Sequence, residues 1–94
     1  MNKKQFDAIM LNNMDNVCTS VKTLEKSAKI TIKFENEMVS LFIRENINLC
    51  HKISLDHIKK GENIIKYGEI IGVATSHINK GTHVHTHNII SLHA

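Results

Sequence analysis

Two stretches of the chain decide its fold: LDHIKKGENIIKYG at residues 55–68 and TSHINKGTHVHTHN at residues 75–88. When they are aligned, both have a histidine, an isoleucine, a lysine and a glycine at the same positions, followed by a branched apolar residue. A weaker third copy, VKTLEKSAKITIKF, begins at Val21 and has Ser27 in place of the glycine. The chain is therefore built around a short unit that recurs along its length.

The repeated unit predicts a short helical turn followed by a strand. Its apolar residue, Ile58 or Ile78, is expected to insert the turn into the core. The glycine three positions later, Gly61 or Gly81, is expected to end the turn with a positive φ, a conformation that strains residues carrying a Cβ. Ser27 is expected to give a looser turn. Because about five or six residues do not form a stable helix alone, we interpret the units as turns between strands.

The remaining runs of the chain indicate strands. KQFDAIML, NEMVSLFIRE and EIIGVAT are short and carry β-branched or aromatic residues without any proline. Short strands separated by turn signals roughly every ten residues are typical of compact all-β domains. We predict a mostly β fold with short helical turns, formed as a single domain over residues 1–94. The alternative is an α+β domain in which residues 15–29, DNVCTSVKTLEKSAK, form a helix.

Composition argues against several classes of protein. With 41% hydrophobic and 22% charged residues, the chain has the composition of a soluble globular protein. A net charge of +3, scattered lysines and few aromatic residues argue against a nucleic-acid partner. No apolar run suits a membrane helix or a signal peptide, so we expect a cytoplasmic protein without a membrane partner. Cys18 and Cys50 match no zinc spacing and are expected to be small buried side chains.

The clearest chemical signal lies in KGTHVHTHN, residues 80–88, where His83, His85 and His87 alternate. On a strand these side chains share one face at steps of about 7 Å, and Val84 points into the core. Imidazoles at alternate positions can converge on one ion at about 2.0–2.1 Å, and they suit zinc, iron, copper and nickel. The pattern favours a metal or anion site. The alternative is a solvent-facing strand that is merely rich in histidine.

For the other histidines the sequence predicts lesser roles or none. His77, on the turn just before this stretch, is a candidate additional ligand or a partner of a ligand. His51, His57 and His93 stand alone in the sequence, and we expect ordinary surface or turn positions for them.

A second candidate site is IIKYGEIIG, residues 64–72, in which Lys66, Tyr67 and Gly68 leave a strand. A lysine beside a phenol at a strand end can bind a carboxylate. The alternative is that the stem of Lys66 lies along apolar surface and the ring of Tyr67 covers the core. Gly72 indicates close approach of another backbone in the following strand.

At these residues the chain resembles a known family. The run from Cys50 to Asn88 is similar to the N-terminal or small-subunit domain of altronate and galactarate dehydratases, and to sulfolactate sulfo-lyase small subunits. The resemblance covers the C-terminal half strongly and most of the remainder weakly. The residues that fit the family pattern are His51, Lys52, Ile58, Gly61, Lys66, Tyr67, Gly68, Ile71, Gly72, Ala74, Ile78, Gly81, His83, Val84, His85, His87 and Asn88.

The resemblance implies a SAF-type domain with a β-clip fold, in which short irregular strands fold over one another. It also implies a hydro-lyase that removes water from altronate, galactarate or a related hydroxy acid. A divalent ion is implied with it, Fe²⁺ in the first place, with Mn²⁺ or Zn²⁺ as alternatives. The residues expected to hold that ion are His83, His85 and His87.

In this family the domain accompanies a much larger catalytic region, which we expect here as a separate large subunit. The chain alone is then inactive, and assembly into a homo-oligomer is left open. We expect His85 and Lys66 to be catalytic, since the reaction needs proton transfer and stabilisation of negative charge. Lys66, Tyr67 and Asn88 are expected to bind the sugar-acid substrate. The alternative function is a non-enzymatic carbohydrate-binding or assembly module of SAF type.

Overall fold

The chain forms nine short strands within residues 5–92, the part that the computed structural model describes. Their bounds are β1 Ala8–Ile9, β2 Val17–Ser20, β3 Lys29–Phe34, β4 Glu37–Phe42, β5 Lys52–Ser54, β6 Asn63–Lys66, β7 Glu69–Ala74, β8 His83–Val84 and β9 Ile89–Ser91. This confirms the predicted mostly β fold. The predicted helical turns are wrong, because no residue in the described part is helical. The alternative helix over residues 15–29 is absent too: β2 and a turn occupy that segment.

The strands form two sheets, and the buried apolar side chains form two core clusters, the second of which includes residues of both sheets. The larger sheet has the order β4-β3-β1-β2-β5-β8, and the smaller has the order β6-β7-β9. All pairs are antiparallel except β1 with β3. The first core cluster consists of Ala8, Cys18, Leu24, Ile30, Ile32, Leu41, Ile43, Ile47 and Ile53. The second consists of Val17, Ile58, Ile64, Ala74, Ile78 and Val84. Within residues 5–92 there is no helix of the length and apolar character required to cross a membrane.

Four turn units, not three, shape the fold. They lie at residues 21–29, 44–52, 55–63 and 75–83, and each has the same order of bend, isolated bridge, turn and strand. We call them the first to fourth turn units. The second unit was missed in the sequence, because RENINLCHK shares only its central isoleucine with both later copies. All four bridge residues are buried, which satisfies the prediction that one apolar side chain inserts each turn into the core.

The turn units associate in two pairs through backbone hydrogen bonds. Leu24 of the first unit and Ile47 of the second exchange two bonds, at 2.8 and 2.9 Å. Ile58 of the third and Ile78 of the fourth do the same, at 2.8 and 2.7 Å. The residue three positions after each bridge also donates its backbone N–H to the residue just before the partner unit: Ser27 to Ile43, Cys50 to Ser20, Gly61 to Ala74 and Gly81 to Ser54. The pairs therefore have the same local two-fold arrangement, and each bridge carries its two apolar side chains into one core cluster.

Every turn unit contains a left-handed residue three positions after its bridge. The φ values are 73° at Ser27, 70° at Cys50, 89° at Gly61 and 84° at Gly81. The prediction for the two glycines is confirmed, whereas the looser turn expected at Ser27 is wrong. The expectation of two buried cysteines also fails for Cys50. It is exposed because it occupies this turn position. Cys18 is buried in β2, and burial raises the pKa of its thiol to about 12.

The segment before β2 fixes the hairpin of β6 and β7 against the larger sheet. The Asn16 amide accepts a hydrogen bond from the Ile65 N–H at 2.8 Å and donates to the Asn63 carbonyl at 2.8 Å. The buried Asp15 carboxylate accepts a bond from the Gly68 N–H at 2.8 Å. These bonds hold the end of β6, and with it Lys66, at a defined place beside the larger sheet.

Candidate functional site

The pairing of β5 with β8 creates the candidate site. In this pair Ile53 lies opposite His83, and Lys52 lies opposite Val84. Continued by one residue, the same register brings His51 opposite His85. Val84 is fully buried in the second core cluster, as predicted from the alternating pattern. The histidine rings consequently gather at the end of the pair, where the side chains are only partly buried.

Three imidazoles converge there, from two segments far apart in the sequence. His51, His83 and His85 have ligand atoms that all lie within 4.8 Å of one another, and we call them the histidine cluster. His51 Nδ1 lies 2.8 Å from His83 Nε2, a hydrogen bond in which one nitrogen carries the proton. The His51 ring stacks on both others, with centroids 4.2 Å from His85 and 5.0 Å from His83. The expectation that His51 is an isolated surface residue is therefore wrong.

The strand that was predicted to carry all three alternating histidines ends early. β8 stops at Val84, and a turn follows that is closed by Asn88. The Asn88 side chain accepts a bond from the His85 N–H and donates to the His83 carbonyl, both at 2.9 Å. Asn88 is buried and bonded to its own chain, so its predicted contact with substrate stays a prediction. Its position explains why His85 leaves the strand and still faces His83.

His87 lies at the margin of this arrangement. Its side chain is exposed, and its ring centroid is 5.1 Å from that of His83 with the planes tilted by 37°. It is not among the side chains whose ligand atoms converge within 4.8 Å. Of the three predicted ligands, the structure brings His83 and His85 together and adds His51 in the place expected for His87.

Two further histidines form a separate pair. The rings of His57 and His77 stack with centroids 5.9 Å apart, so neither stands alone. His57 Nδ1 accepts a hydrogen bond from the Lys80 N–H at 3.3 Å, and His77 Nε2 lies 3.0 Å from Asn79 Oδ1. His77 thus pairs with His57, and it does not join the histidine cluster as an additional ligand. The prediction for His93 falls outside residues 5–92.

The surroundings favour the neutral form of His83 and His85. The pKa of His83 is lowered by burial and then by the positive charges of His87 and His51, against a smaller opposing effect of Glu45. The pKa of His85 is lowered by loss of hydration and then by His51 and Lys52. Because both values fall below the ordinary value of 6.5, these rings are uncharged at neutral pH and keep a lone pair for a ligand.

Two lysines complete the site. Half burial, and then the positive charge of Lys66, lower the pKa of the Lys52 ammonium. Lys66 ends β6, and its Nζ lies 4.8 Å from the centre of the Tyr67 ring. Tyr67 and Gly68 form the following hairpin turn with φ values of 56° and 74°, and the Tyr67 ring is 50% exposed. Two nearby ammonium groups, one poorly hydrated, favour an anion between or beside them.

The histidine cluster fits a divalent transition metal. Neutral imidazoles on a tetrahedral ion at about 2.0–2.1 Å have donor atoms roughly 3.4 Å apart. To reach this spacing, His51 Nδ1 and His83 Nε2 would move slightly apart from their 2.8 Å separation. The ligand nitrogen of His85, now within 4.8 Å of the others, would move closer to them. His51 and Lys52 were not predicted as site residues from the sequence, although the structure places both beside His83 and His85. The signal was available, since both belong to the family pattern as adjacent residues.

The chain is similar to several curated lyases. The curated altronate dehydratase of Escherichia coli (strain K12) is 38% identical over 80 residues, which is 85% of this chain and 15% of that protein. The altronate dehydratase of Bacillus subtilis (strain 168) is 34% identical over the same coverage. The (2R)-sulfolactate sulfo-lyase subunit alpha of Paracoccus pantotrophus is 39% identical over 54 residues, 57% of this chain and 81% of that subunit.

These relatives differ in how much of them the chain represents. It spans about 15% of the length of the altronate dehydratases and 81% of the sulfo-lyase subunit. The sequence profile described as "Altronate/galactarate dehydratase SAF domain" matches residues 6–92, almost the whole chain. The resemblance drawn from the motifs is therefore confirmed: the chain belongs to the SAF domain family of altronate and galactarate dehydratases.

Proposed function

We propose that this chain is the small component of a sugar-acid dehydratase and acts with a separate large catalytic subunit. The observation that carries the proposal is the histidine cluster beside Lys52 and Lys66, in a domain of the dehydratase family. Altronate, galactarate or a related hydroxy acid is the proposed substrate. A sulfo acid is the alternative, since one relative is named a sulfolactate sulfo-lyase subunit.

Two observations support a separate large subunit: the exposure of the histidine cluster, and the small part of the altronate dehydratases that this chain matches. The cluster lies at a partly exposed strand end, so the described residues leave one side of a bound substrate open to solvent. In the curated altronate dehydratases, the matched part is only about 15% of the protein. A larger polypeptide would therefore close over the histidine cluster and contribute the rest of the active site.

The side chains suit the elimination of water from a hydroxy acid. His51, His83 and His85 would hold a divalent ion, Fe²⁺ in the first place and Mn²⁺ or Zn²⁺ as alternatives. Such an ion supplies a Lewis acid for the negative charge that develops in the reaction. Lys66 and Lys52 would bind the substrate carboxylate, because their charges lack a nearby carboxylate partner among the described residues.

His85 has an alternative role as a proton acceptor, because its neutral ring can take the proton that lies α to the substrate carboxylate. Its place beside Lys52 suits contact with a substrate bound there. A ligand role and a proton-acceptor role differ in their consequence: removing a ligand weakens metal binding, whereas removing a proton acceptor lowers the rate at saturating metal.

The decisive experiment is reconstitution. The chain carrying an affinity tag is expressed in its native cell and purified with its partners, and the complex and the isolated chain are assayed with altronate and galactarate. We expect water elimination by the complex and none by the chain alone. Turnover by the isolated chain would contradict the division of labour. Co-purification with no lyase subunit would support the non-enzymatic carbohydrate-binding or assembly module.

The metal assignment has its own test. Fe²⁺, Mn²⁺ and Zn²⁺ are titrated into the chain and into H51A, H83A, H85A, H87A and H57A variants, with binding followed by calorimetry. We expect the first three variants to lose most of the affinity and H57A, from the separate pair, to keep it. H87A distinguishes the two candidate ligand sets: retention of affinity favours His51, and loss favours the set predicted from the sequence.

A further inference from the structure

A second concave site lies away from the histidine cluster. A cavity of about 550 Å³ is formed where the β3–β4 hairpin meets the third and fourth turn units. Its lining includes Lys29 and Phe42 from the hairpin, Arg44 just after it, and His57 and Lys80 from the turn units. None of the residues of the histidine cluster lines this cavity. A volume of this size is within the range of small-molecule sites, which is about 300–1,000 Å³.

The lysine and arginine side chains that line the cavity make it positively charged. Lys29, Arg44 and Lys80 line it, and none of the residues that line it within the described part of the chain is acidic. Over residues 5–92 the ion pair found is Lys22 with Asp7, so these three cations are not neutralised by carboxylates within 4.0 Å. Cations gathered around one concavity repel each other, and an anion placed among them removes that repulsion.

His57 adds a neutral hydrogen-bond donor to the wall. Because its Nδ1 accepts the Lys80 N–H, the neutral ring carries its proton on Nε2. The same bond orients the ring, which stacks on His77 behind it. The backbone at Lys80 is fixed as well, since Gly81 next to it accepts a bond from the Arg44 N–H at 2.9 Å.

Phe42 supplies the apolar part of the wall. Its ring is 65% exposed, although it is a large hydrophobic side chain, and the Lys29 ammonium lies 6.0 Å from its centre. An exposed aromatic ring between cations suits a ligand that has both anionic oxygens and a carbon skeleton.

We propose that this cavity binds a small organic dianion, with its carboxylate or phosphate oxygens on Arg44, Lys80 and Lys29 and its carbon skeleton against Phe42. The site is independent of the proposed dehydratase function, because it uses none of the histidine cluster. Dicarboxylates and phosphate compounds share the anionic oxygens that this site recognises, and the experiment separates them.

The test is a titration of the full chain with three probes: adipate, inorganic phosphate and the uncharged hexane-1,6-diol, followed by amide chemical shifts. We expect at least one of the two anions to bind with a Kd in the range of about 1 mM or tighter and the diol not to bind. The R44Q and K80Q variants should each weaken anion binding by about tenfold. Tighter adipate binding, lost in F42A, assigns a dicarboxylate; phosphate binding that F42A leaves unchanged assigns a phosphate group.

The chain offers a matched control. Lys60 occupies the same place in the third turn unit as Lys80 in the fourth, two residues after the bridge, but it does not line the cavity. K60Q should bind both anions like the unmodified chain. Equal weakening by K60Q and K80Q would mean general attraction to a basic surface and would overturn the proposal. Absence of anion binding at about 10 mM, or equal binding of the diol, would overturn it too.

Discussion

The two pairs of turn units have the same backbone conformation, but different residue types occupy its left-handed positions. In the first pair the left-handed positions are occupied by Ser27 and Cys50, and in the second pair by Gly61 and Gly81. The strain of a Cβ at positive φ is therefore accepted in one half and avoided in the other. The backbone bonds across each bridge outweigh that strain, so the geometry persists where the glycine is missing.

The comparison also shows where close packing demands glycine. A Cβ added to Gly61 would meet nothing within 4 Å, whereas one added to Gly81 would lie 2.4 Å from the Phe42 carbonyl oxygen. Gly81 is buried against the end of the β3–β4 hairpin, which belongs to the other half of the molecule. The third unit could thus take another residue at the cost of backbone strain alone, and the fourth could not.

The largest expected effect tests whether the two bridges are equivalent. Ile47 is fully buried in the first core cluster, and Ile58, 2% exposed, in the second. I47A and I58A should each lower the free energy of unfolding by about 2–5 kcal/mol, measured by urea denaturation. A loss below about 1 kcal/mol for one of them would show that its half contributes little to the cooperative fold.

Substitution by alanine should lower the free energy of unfolding more at Gly81 than at Gly61. G81A is expected to cost about 3 kcal/mol, because strain at positive φ adds to overlap with backbone. G61A should cost only about 1 kcal/mol, since strain is its sole penalty. Thermal and urea unfolding of both variants measure the difference. Equal losses would contradict the close approach of the fourth unit to Phe42.

Substitutions at the neighbouring residues Val84 and His85 should have different consequences, the first for stability and the second for metal binding or activity. V84A should cost about 1–3 kcal/mol without a specific effect on metal binding, because Val84 is fully buried. H85A should leave the thermal midpoint nearly unchanged and remove metal binding or activity of the assembled enzyme. If H85A binds metal like the unmodified chain and the enzyme keeps its rate, the histidines are only a solvated surface.

Acid should destabilise the folded chain through His83 and His85 of the histidine cluster. The pKa values of His83 and His85 are lowered in the folded chain, so the unfolded chain binds more protons as the pH falls below about 6.5. Their contribution to stability is therefore complete above that pH and is lost progressively below it. Melting curves between about pH 8 and 5 should show this decline, reduced in an H83Q/H85Q variant. An unchanged decline in the variant would assign it to other groups.

The smallest expected effect is the gain in stability when the strained Ser27 of the first turn unit is replaced by glycine. S27G should relieve the strain at φ 73° and raise the free energy of unfolding by about 0.5 kcal/mol, the difference between that strain and the added freedom of the unfolded chain. The neighbouring exposed Lys26, which lacks a positive φ, provides the control: K26G should be destabilising. Destabilisation by both to the same extent would mean that strain at Ser27 is negligible.

Residue order alone determined the β fold, the positive φ of Gly61 and Gly81, and the inward side of Val84. These features depend on local chemistry: an apolar residue, a glycine three positions later and a branched residue in the next strand specify the third and fourth units. The family followed from the same residues, because its pattern includes the glycines of the turns. In the second unit Cys50 replaces the glycine and a leucine, Leu49, replaces the lysine before it, so the local signal was too weak and the unit was missed.

Tertiary structure alone decided which histidines meet. His51 and His83 are 32 residues apart and come within hydrogen-bonding distance only through the pairing of β5 with β8. The strand that appeared to align His83, His85 and His87 ends at Val84, because the Asn88 side chain bonds the backbone on both sides of that residue. Alternation in sequence describes one strand at a time. The register between strands depends on contacts with the rest of the chain, and it selected His51 in place of His87.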